Sequence, residues 1–482
     1  MKHVNTQAKI AIVGGGVAGS SAALYFGSLG LNVTLFEKEK SLISGPPFCH
    51  LHAGGNLYRE ISDAQCVTLL KQSIDFLRFY PFIVDYRPTV IVLPLSDAST
   101  PEALLPRLNL LTREYEALIE KDAQNEVLGK SKNYFKSYER KEVEALAKKR
   151  NPSNPKGCDE WMIPVAKGID LNKVQFPLIM VQEYGLNLFR LAAGTALSLE
   201  ALDTVTLHTQ SIVYNIQKVG NNEGWELSYI KEEKSVKEHF DYLINAAGFK
   251  TGKIDDMVGA QCKAMVEFKA AYISHCDSLE ETHFPEIIFH GERGTPQGMG
   301  QFTPYPHGYF QLHGMTKEIT LYDDGLVSNT AVSCQAKLGQ NFIEKIENSW
   351  TEEETKKRTN SAIRHLSQYI PNFSKAHVGS KPLFGAQQIP GDDPTLRVAE
   401  VSFPLPRYAR CEIVKVSSVL EMIDAICKTL IKLDYLDASN LGTRGLNNLA
   451  GIEESDIKTR AESIAIERAY PAALANRTSF KL

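Results

Sequence analysis

Lys9-Ile-Ala-Ile-Val13-Gly14-Gly-Gly16-Val-Ala18-Gly19-Ser-Ser-Ala-Ala-Leu-Tyr-Phe-Gly-Ser-Leu29-Gly30-Leu31-Asn-Val-Thr-Leu-Phe36-Glu37 is the stretch that decides the fold. A short apolar, β-branched run reads as a buried strand and stops at three glycines. A small-residue helix over 17–29 follows, with Gly30 placed to close it. Residues 31–36 then alternate as a second strand with an acid at its end. This is G-x-G-x-x-G between a strand and a helix, with an acid about twenty residues on. Gly14 permits the tight turn, Gly16 lets backbone approach a pyrophosphate, and Gly19 allows close packing of helix on strand. The helix start around Ala18 offers free N–H groups and a positive dipole end to phosphates. Glu37 accepts both hydroxyls of an adenosine ribose and repels a 2′-phosphate, and Lys38 follows it. Gly14, Gly16, Ala18, Gly19, Glu37 and Lys38 are the nucleotide-binding residues expected here.

The rest of the chain bounds what such a unit belongs to. Its 482 residues allow about three domains, or two with one threaded through the other. With 43% hydrophobic residues it is neither a disordered chain nor a small disulfide scaffold. A formal charge of −4 argues against a nucleic-acid partner. The eight cysteines are scattered, without C-x-x-C, which fits a reducing compartment. No signal peptide and no spanning apolar window are visible, so an integral membrane protein is not expected. The expected location is cytoplasmic. Residues 130–156 carry a local charge of +6, which leaves peripheral attachment at the inner face of a membrane open beside the plainer reading of a solvated face.

A second fragment, Phe240-Asp-Tyr-Leu-Ile-Asn245-Ala-Ala247-Gly248, is a strand ending in Asn-Ala-Ala-Gly. Together with the first motif it resembles the FAD-dependent D-amino-acid oxidase superfamily. That family includes glycine oxidase, sarcosine oxidase and the flavin dehydrogenases of glycerol 3-phosphate, L-2-hydroxyglutarate and malate. The resemblance implies FAD as cofactor, with Ala247 and Gly248 returning beside it. It also implies that the strand Ser211-Ile-Val213-Tyr-Asn-Ile216 places the backbone of Val213 at the adenine. Gly168-Ile-Asp170 and a helix over 183–199 would lead into that strand. The implied fold is α/β, a discontinuous FAD-binding Rossmann-like domain with an inserted mixed β-sheet substrate domain. The FAD-binding parts would be 1–95, 166–260 and 376–482, the last including a C-terminal tail. A helical part of the substrate domain would span 96–165, and its main body 261–375.

After Glu37 comes Gly45-Pro-Pro-Phe-Cys49-His50-Leu51-His52-Ala53-Gly54-Gly55-Asn-Leu-Tyr58. His52-Ala-Gly-Gly55 is similar to the I-H-A-G or H-G-G loop of the 2-hydroxyacid branch. It is also similar to the W-H-A-A-G of dimethylglycine-type dehydrogenases, whose histidine holds the flavin covalently. The resemblance implies that His52, Ala53 and Gly54 lie at the isoalloxazine ring, with His52 as neighbour, covalent anchor or base. On the residues alone, His52 reads equally as a structural hydrogen-bond partner in a glycine loop. Cys49, His50 and His52 lack a fourth ligand cluster, and no metal is expected.

Further along, Gln301-Phe-Thr-Pro304-Tyr305-Pro306-His307-Gly308-Tyr309-Phe310-Gln311-Leu312-His313-Gly314 is similar to the family's substrate-domain hairpin. Alternation puts Tyr309, Gln311 and His313 on one face, lining a substrate cavity or meeting solvent, and Phe310 and Leu312 on the other. Helices are expected over 101–129 and 345–370, and a hairpin turn at 221–224. Near the C-terminus Gln387 stands where the family usually has an arginine. Arg397 is the nearest replacement, so Arg397 and Tyr309 are the candidates for binding a substrate carboxylate. Ser418 and Glu421 read as a capping box opening a helix over 419–433. Lys415, Ser417 and Ser418 would bring that helix start, and a positive charge, to the flavin pyrimidine.

The chemistry implied is hydride transfer to flavin from a C–H bond next to a hydroxyl or amine, with His52 the first candidate base and His313 the second. The leading expectation is a dehydrogenase of a small 2-hydroxy acid or similar alcohol, passing electrons to quinone or another acceptor. An amine or amino-acid oxidase using oxygen and a non-catalytic flavin redox sensor are the alternatives.

Overall fold

The computed structural model describes residues 7–55, 61–220, 223–348, 350–396, 399–443 and 451–479. The opening motif folds as read: strand Lys9–Val13, helix Val17–Ser28, strand Asn32–Phe36. Lys9–Val13 lies at the centre of a six-stranded sheet, parallel to Asn32–Phe36 on one side and to Tyr242–Asn245 on the other. Val205–His208 and Tyr408–Cys411 extend the sheet in parallel, and only Val401–Ser402 runs against it.

The continuous apolar run of the first strand follows from burial on both faces. Ile10 and Ile12 pack into a core shared with helices Val17–Ser28, Leu188–Glu200, Val419–Lys432 and Glu454–Glu467. Ala11 and Val13 face the other way, onto Val213, Trp225, Leu227 and Phe240 of an antiparallel three-stranded sheet, Ile212–Val219, Gly224–Lys231 and Lys234–Phe240.

The second body is a nine-stranded mixed sheet. Near one end the long strand Ala264–His275 pairs with His377–Pro390 on one side and with Leu326–Ser328 and Tyr309–Gly314 on the other. Gly300–Pro304, Glu286–Phe289, Thr89–Val92, Leu178–Val181 and Phe135–Tyr138 follow in that order. One face, carrying Val90, Tyr272, Phe302, Phe310 and Leu312, packs under helices Cys158–Gly168 and Glu352–Ser367. The expected domain ranges put Thr89–Val92, Leu178–Val181 and His377–Pro390 with the nucleotide-binding part. All three strands pair instead in the nine-stranded sheet, because each is an apolar or alternating strand adjoining a connection between the two sheets.

Other expectations shift locally. The helix expected from 183 begins at Leu188, because Asn187 caps it by accepting from the Arg190 N–H at 3.1 Å. The helix expected over 345–370 is two, Gln340–Glu347 and Glu352–Ser367. Thr351 starts the second by accepting from the Glu354 N–H. The helix expected over 101–129 is a 3-10 turn, Pro101–Leu104, followed by Leu105–Lys121. The strands flanking the 221–224 turn pair antiparallel as expected, and residues 221 and 222 lie outside the described residues.

Candidate active site

The carboxyl edge of the parallel sheet gathers most of the residues expected to hold a nucleotide, and ligands bind at such an edge in open α/β sheets. Gly14 takes φ +105°, and a Cβ there would stand 2.4 Å from the Ala246 carbonyl oxygen. A Cβ on Gly19 would fall 1.9 Å from the Gly14 oxygen, so both glycines are required by close backbone approach. Gly16 differs, because its Cβ position is open space. Gly16 is also the N-cap of the first helix, with no side-chain cap and no acid in the first turn, and the buried Ala18 follows. Open backbone with uncapped N–H groups fits a pyrophosphate. Gly248 at φ +59° likewise faces open space, just after Ala247, whose N–H meets Asn245 Oδ1.

Glu37 is buried, and its carboxylate accepts from the Gly15 N–H at 2.7 Å and the Glu39 N–H at 2.8 Å. Burial pushes its pKa up against those two bonds. The remaining lone pairs are those a ribose would use. Lys38 points elsewhere, to an exposed pair with Glu39 at 2.5 Å. Val213 is buried in the three-stranded sheet opposite Tyr229.

The loop over 45–55 crosses the face of the nine-stranded sheet that is turned away from the second core. Gly385 of that sheet approaches so closely that a Cβ would lie 2.6 Å from the Pro46 nitrogen. The turn around His52 is held from below by Glu183, which accepts from the Gly55 N–H at 2.7 Å and the Ala53 N–H at 3.3 Å. Burial pushes the Glu183 carboxyl up to about 7, against those N–H groups and the Tyr134 hydroxyl. Gly54, at φ +98°, rests on Cys66, where a Cβ would meet the carbonyl at 2.7 Å. His52 itself is half-buried, its ring centred 4.5 Å from that of His50.

Beneath His52 lies a buried network absent from the residues expected on sequence. His50 Nδ1 is 2.6 Å from Glu286 Oε1, and Arg87 Nη1 is 2.5 Å from Glu286 Oε2. Arg87 also donates to the Cys49 carbonyl at 3.0 Å and lies 3.3 Å from Asp85. Gln301 Nε2 donates to Glu286 at 2.6 Å, and the Tyr305 hydroxyl donates to Gln311 Oε1 at 3.1 Å. Burial opposes the charge on His50, but Glu286 and Cys49 outweigh it and push the imidazole up to about 10. Glu286 is held well below the usual carboxylate range, because the His50 and Arg87 cations overcome its burial. His50 is therefore an imidazolium at neutral pH, and its buried Nε2 has no hydrogen-bond partner among the described residues. Cys49, His50 and Glu286 bring three ligand-type atoms within 4.8 Å, but Arg87 already balances the acid and no metal is assigned.

The expected substrate residues are only partly convergent. Tyr309, Gln311 and His313 do share a face, with Phe310 and Leu312 buried behind them. Gln311 joins the network through Tyr305, whereas Tyr309 sits at the strand's start against His275, ring centroids 4.6 Å apart. His313 lies at the far end, near Lys269 and Arg293. Burial, then those cations, push it down to about 4, so it is neutral. Gln387 donates to the Val414 carbonyl at 2.8 Å. Arg397 lies outside the described residues. Ser417 and Ser418 are buried at the start of helix Val419–Lys432, next to Lys415. The capping box does not form: Ser418 Oγ donates to the Lys415 carbonyl at 2.8 Å, and Glu421 accepts from Gln72 Nε2 at 2.6 Å. Ser418 is already helical in backbone, so its hydroxyl turns back onto the preceding 3-10 turn.

What the sequence reading missed are His50 as a cation, Arg87, Glu183, Glu286 and Gln301. A signal existed: Glu286 heads an otherwise apolar strand and Arg87 stands two residues before the apolar strand Thr89–Val92, where a charge needs a buried partner. Nothing local says that they are each other's partner.

A family model described as DAO, FAD dependent oxidoreductase, matches residues 9–397. A search of the curated proteins returns no match. Among solved structures the chain is similar to glycine oxidase from Geobacillus kaustophilus, at 12% identity and TM-score 0.53, covering 92% of this chain and 99% of that one. It is also similar to a glycerol-3-phosphate dehydrogenase from Bacillus halodurans complexed with FAD, at 11% identity and TM-score 0.56, covering 97% and 73%. The L-amino acid deaminase from Proteus vulgaris follows at 12% and 0.55, covering 92% and 97%.

Proposed function

This chain belongs to the DAO family of FAD dependent oxidoreductases, and from that premise we propose that it oxidises a small 2-hydroxy acid or similar alcohol, passing the electrons to quinone or another acceptor. The observation that carries the reading is His50, a buried imidazolium whose Nε2–H has no partner among the described residues, on the loop that faces the polar side of the nine-stranded sheet. A desolvated cationic donor is matched by an anionic oxygen such as a substrate carboxylate. Arg87 is excluded from that task because Glu286, Asp85 and the Cys49 carbonyl occupy it.

FAD supplies the hydride acceptor when bound. Its pyrophosphate would be held by the backbone around Gly16 and the start of the first helix, its ribose by Glu37, and its ring by the loop from His52 to Gly54. Lys415, Ser417 and Ser418 would border the ring from the helix start. His52, half-buried with its ring 4.5 Å from that of His50, would be the proton acceptor for a substrate hydroxyl. His313, neutral and low in basicity, is the weaker base of the two.

Anaerobic mixing of the FAD-loaded protein with 2-hydroxy acids and amino acids tests the substrate class. Bleaching of the flavin by hydroxy acids supports the reading. Bleaching by amino acids alone replaces it with amine oxidation, and bleaching by neither overturns both.

A further inference from the structure

We propose that Cys262 and Cys334 close a reversible disulfide, a modification site outside the residues assigned to the flavin and the substrate. Cys262 lies between helix Thr251–Val258 and strand Ala264–His275, and Cys334 follows strand Leu326–Ser328. Their sulfurs and a carboxylate oxygen of Asp255 all lie within 4.8 Å of one another. Each thiol reaches over the other's segment: Cys262 Sγ is 3.7 Å from the Cys334 carbonyl oxygen, and Cys334 Sγ is 3.3 Å from that of Ala260.

The backbone is fixed in this approach without help from the thiols. Asn329 Nδ2 donates to the Cys262 and Ser333 carbonyls, both at 3.0 Å, while its Oδ1 accepts from the Ala264 N–H at 2.9 Å. Asp256 accepts from the Cys334 N–H at 2.7 Å and from the Ser333 hydroxyl at 2.6 Å. A Cβ on Gly252 would fall 2.3 Å from the Cys334 oxygen, so that helix and the cysteine's segment are in direct backbone contact. Two sulfurs held this close need side-chain rotation to reach a bond of about 2.05 Å.

The two thiols differ in access. Cys262 is half-buried and Cys334 is buried. Burial, then the neighbouring Cys334 thiol, push the Cys262 pKa up, which holds its sulfur as a thiol and slows its attack on an oxidant, so closure calls for peroxide in excess. With a peroxide, the Cys262 sulfur attacks one oxygen, an S–O bond forms, the O–O bond breaks and one water leaves. The Cys334 sulfur then displaces the second water from the sulfenic acid and forms the S–S bond. The two thiol hydrogens end in the two waters, and the peroxide takes up both electrons.

The same donors are a plausible set for a thiolate-preferring cation, but Arg410 lies 3.4 Å from Asp255 and 2.9 Å from Glu412, and its charge opposes a cation there. The test treats the FAD-loaded protein with hydrogen peroxide, blocks thiols with an alkylating agent under denaturing conditions, and maps a non-reducing digest. Two of the eight thiols should be lost, a Cys262–Cys334 linked peptide should appear, and dithiothreitol should restore both. Cys262→Ser should abolish the linked peptide and leave Cys334 alkylatable. Full alkylation of both cysteines after peroxide overturns the proposal, as does sulfinic acid on Cys262 with Cys334 free. Stoichiometric zinc in the untreated protein, lost in Cys262→Ser, overturns it in favour of a metal site.

Discussion

His50 Nδ1 sits 2.6 Å from Glu286 Oε1, joining the loop after the glycine motif to the middle of the nine-stranded sheet through two buried side chains. Arg87 completes the arrangement from the other oxygen of the same carboxylate. One acid thus fixes two cations, and one of those cations keeps a ring N–H unspent. The network makes the loop's position a property of the core and not of the loop sequence alone.

Breaking that relationship is expected to be expensive. Glu286→Gln leaves the buried His50 and Arg87 charges without their shared anion, and removing one partner of a buried pair costs about 3–5 kcal/mol. Urea unfolding of the variant should show a midpoint lowered accordingly. An unchanged midpoint would mean that the three side chains are not coupled as described.

Glu183 gives a pH dependence of definite sign. Burial raises its folded-state pKa to about 7 from a usual 4.5, so the folded protein holds a proton that the unfolded chain has released. Its contribution is fully present below pH 4.5 and is lost as pH rises through 7, by about 3 kcal/mol in all. Glu183→Gln should flatten stability against pH across that window. A variant with the wild-type slope would show that another group titrates there.

The glycines of the motif separate folding from binding. Gly19→Ala drives a methyl against the Gly14 carbonyl and should cost about 1–3 kcal/mol or more of stability. Gly16→Val meets open space in the protein, so its unfolding midpoint should stay near wild type while FAD affinity falls by about a hundredfold. Calorimetry of the apoprotein and flavin fluorescence titration read the two effects. A Gly16→Val protein that keeps full FAD affinity would remove the pyrophosphate from this turn.

At the other end of the chain, Glu421 is tied to Gln72 and not to the N-cap. A double-mutant cycle between Gln72 and Glu421 should read about 1–3 kcal/mol of coupling, as for a hydrogen bond to a charged group. The cycle between Ser418 and Glu421 should read close to zero. A reversal of those two values would restore the capping box.

Local pattern was enough wherever one segment carries its own instruction. The strand 9–13, the glycine turn and the strand ending at Asn245 could be placed because burial on both faces and close backbone approach leave their mark on adjacent residues. The shared face of Tyr309, Gln311 and His313 was readable for the same reason, since alternation is intrinsic to a strand. The His50–Glu286–Arg87 network was not, because each partner comes from a different strand or loop and no spacing rule links them. Ser418 and Glu421 satisfied a spacing rule, but the preceding 3-10 turn takes the Ser418 hydroxyl and the distant Gln72 takes the Glu421 carboxylate. His52 drew attention through its motif, while the charged histidine two residues earlier was visible only once Glu286 stood beside it.

On the function proposed above, an anionic substrate meets the flavin at His50. The most direct measurement is the perturbation of the flavin absorbance by a non-oxidisable carboxylate such as oxalate, titrated into FAD-loaded wild type and His50→Gln. Loss of the cationic N–H should weaken the dissociation constant about tenfold or more while FAD stays bound. Equal dissociation constants in the two proteins would contradict the account.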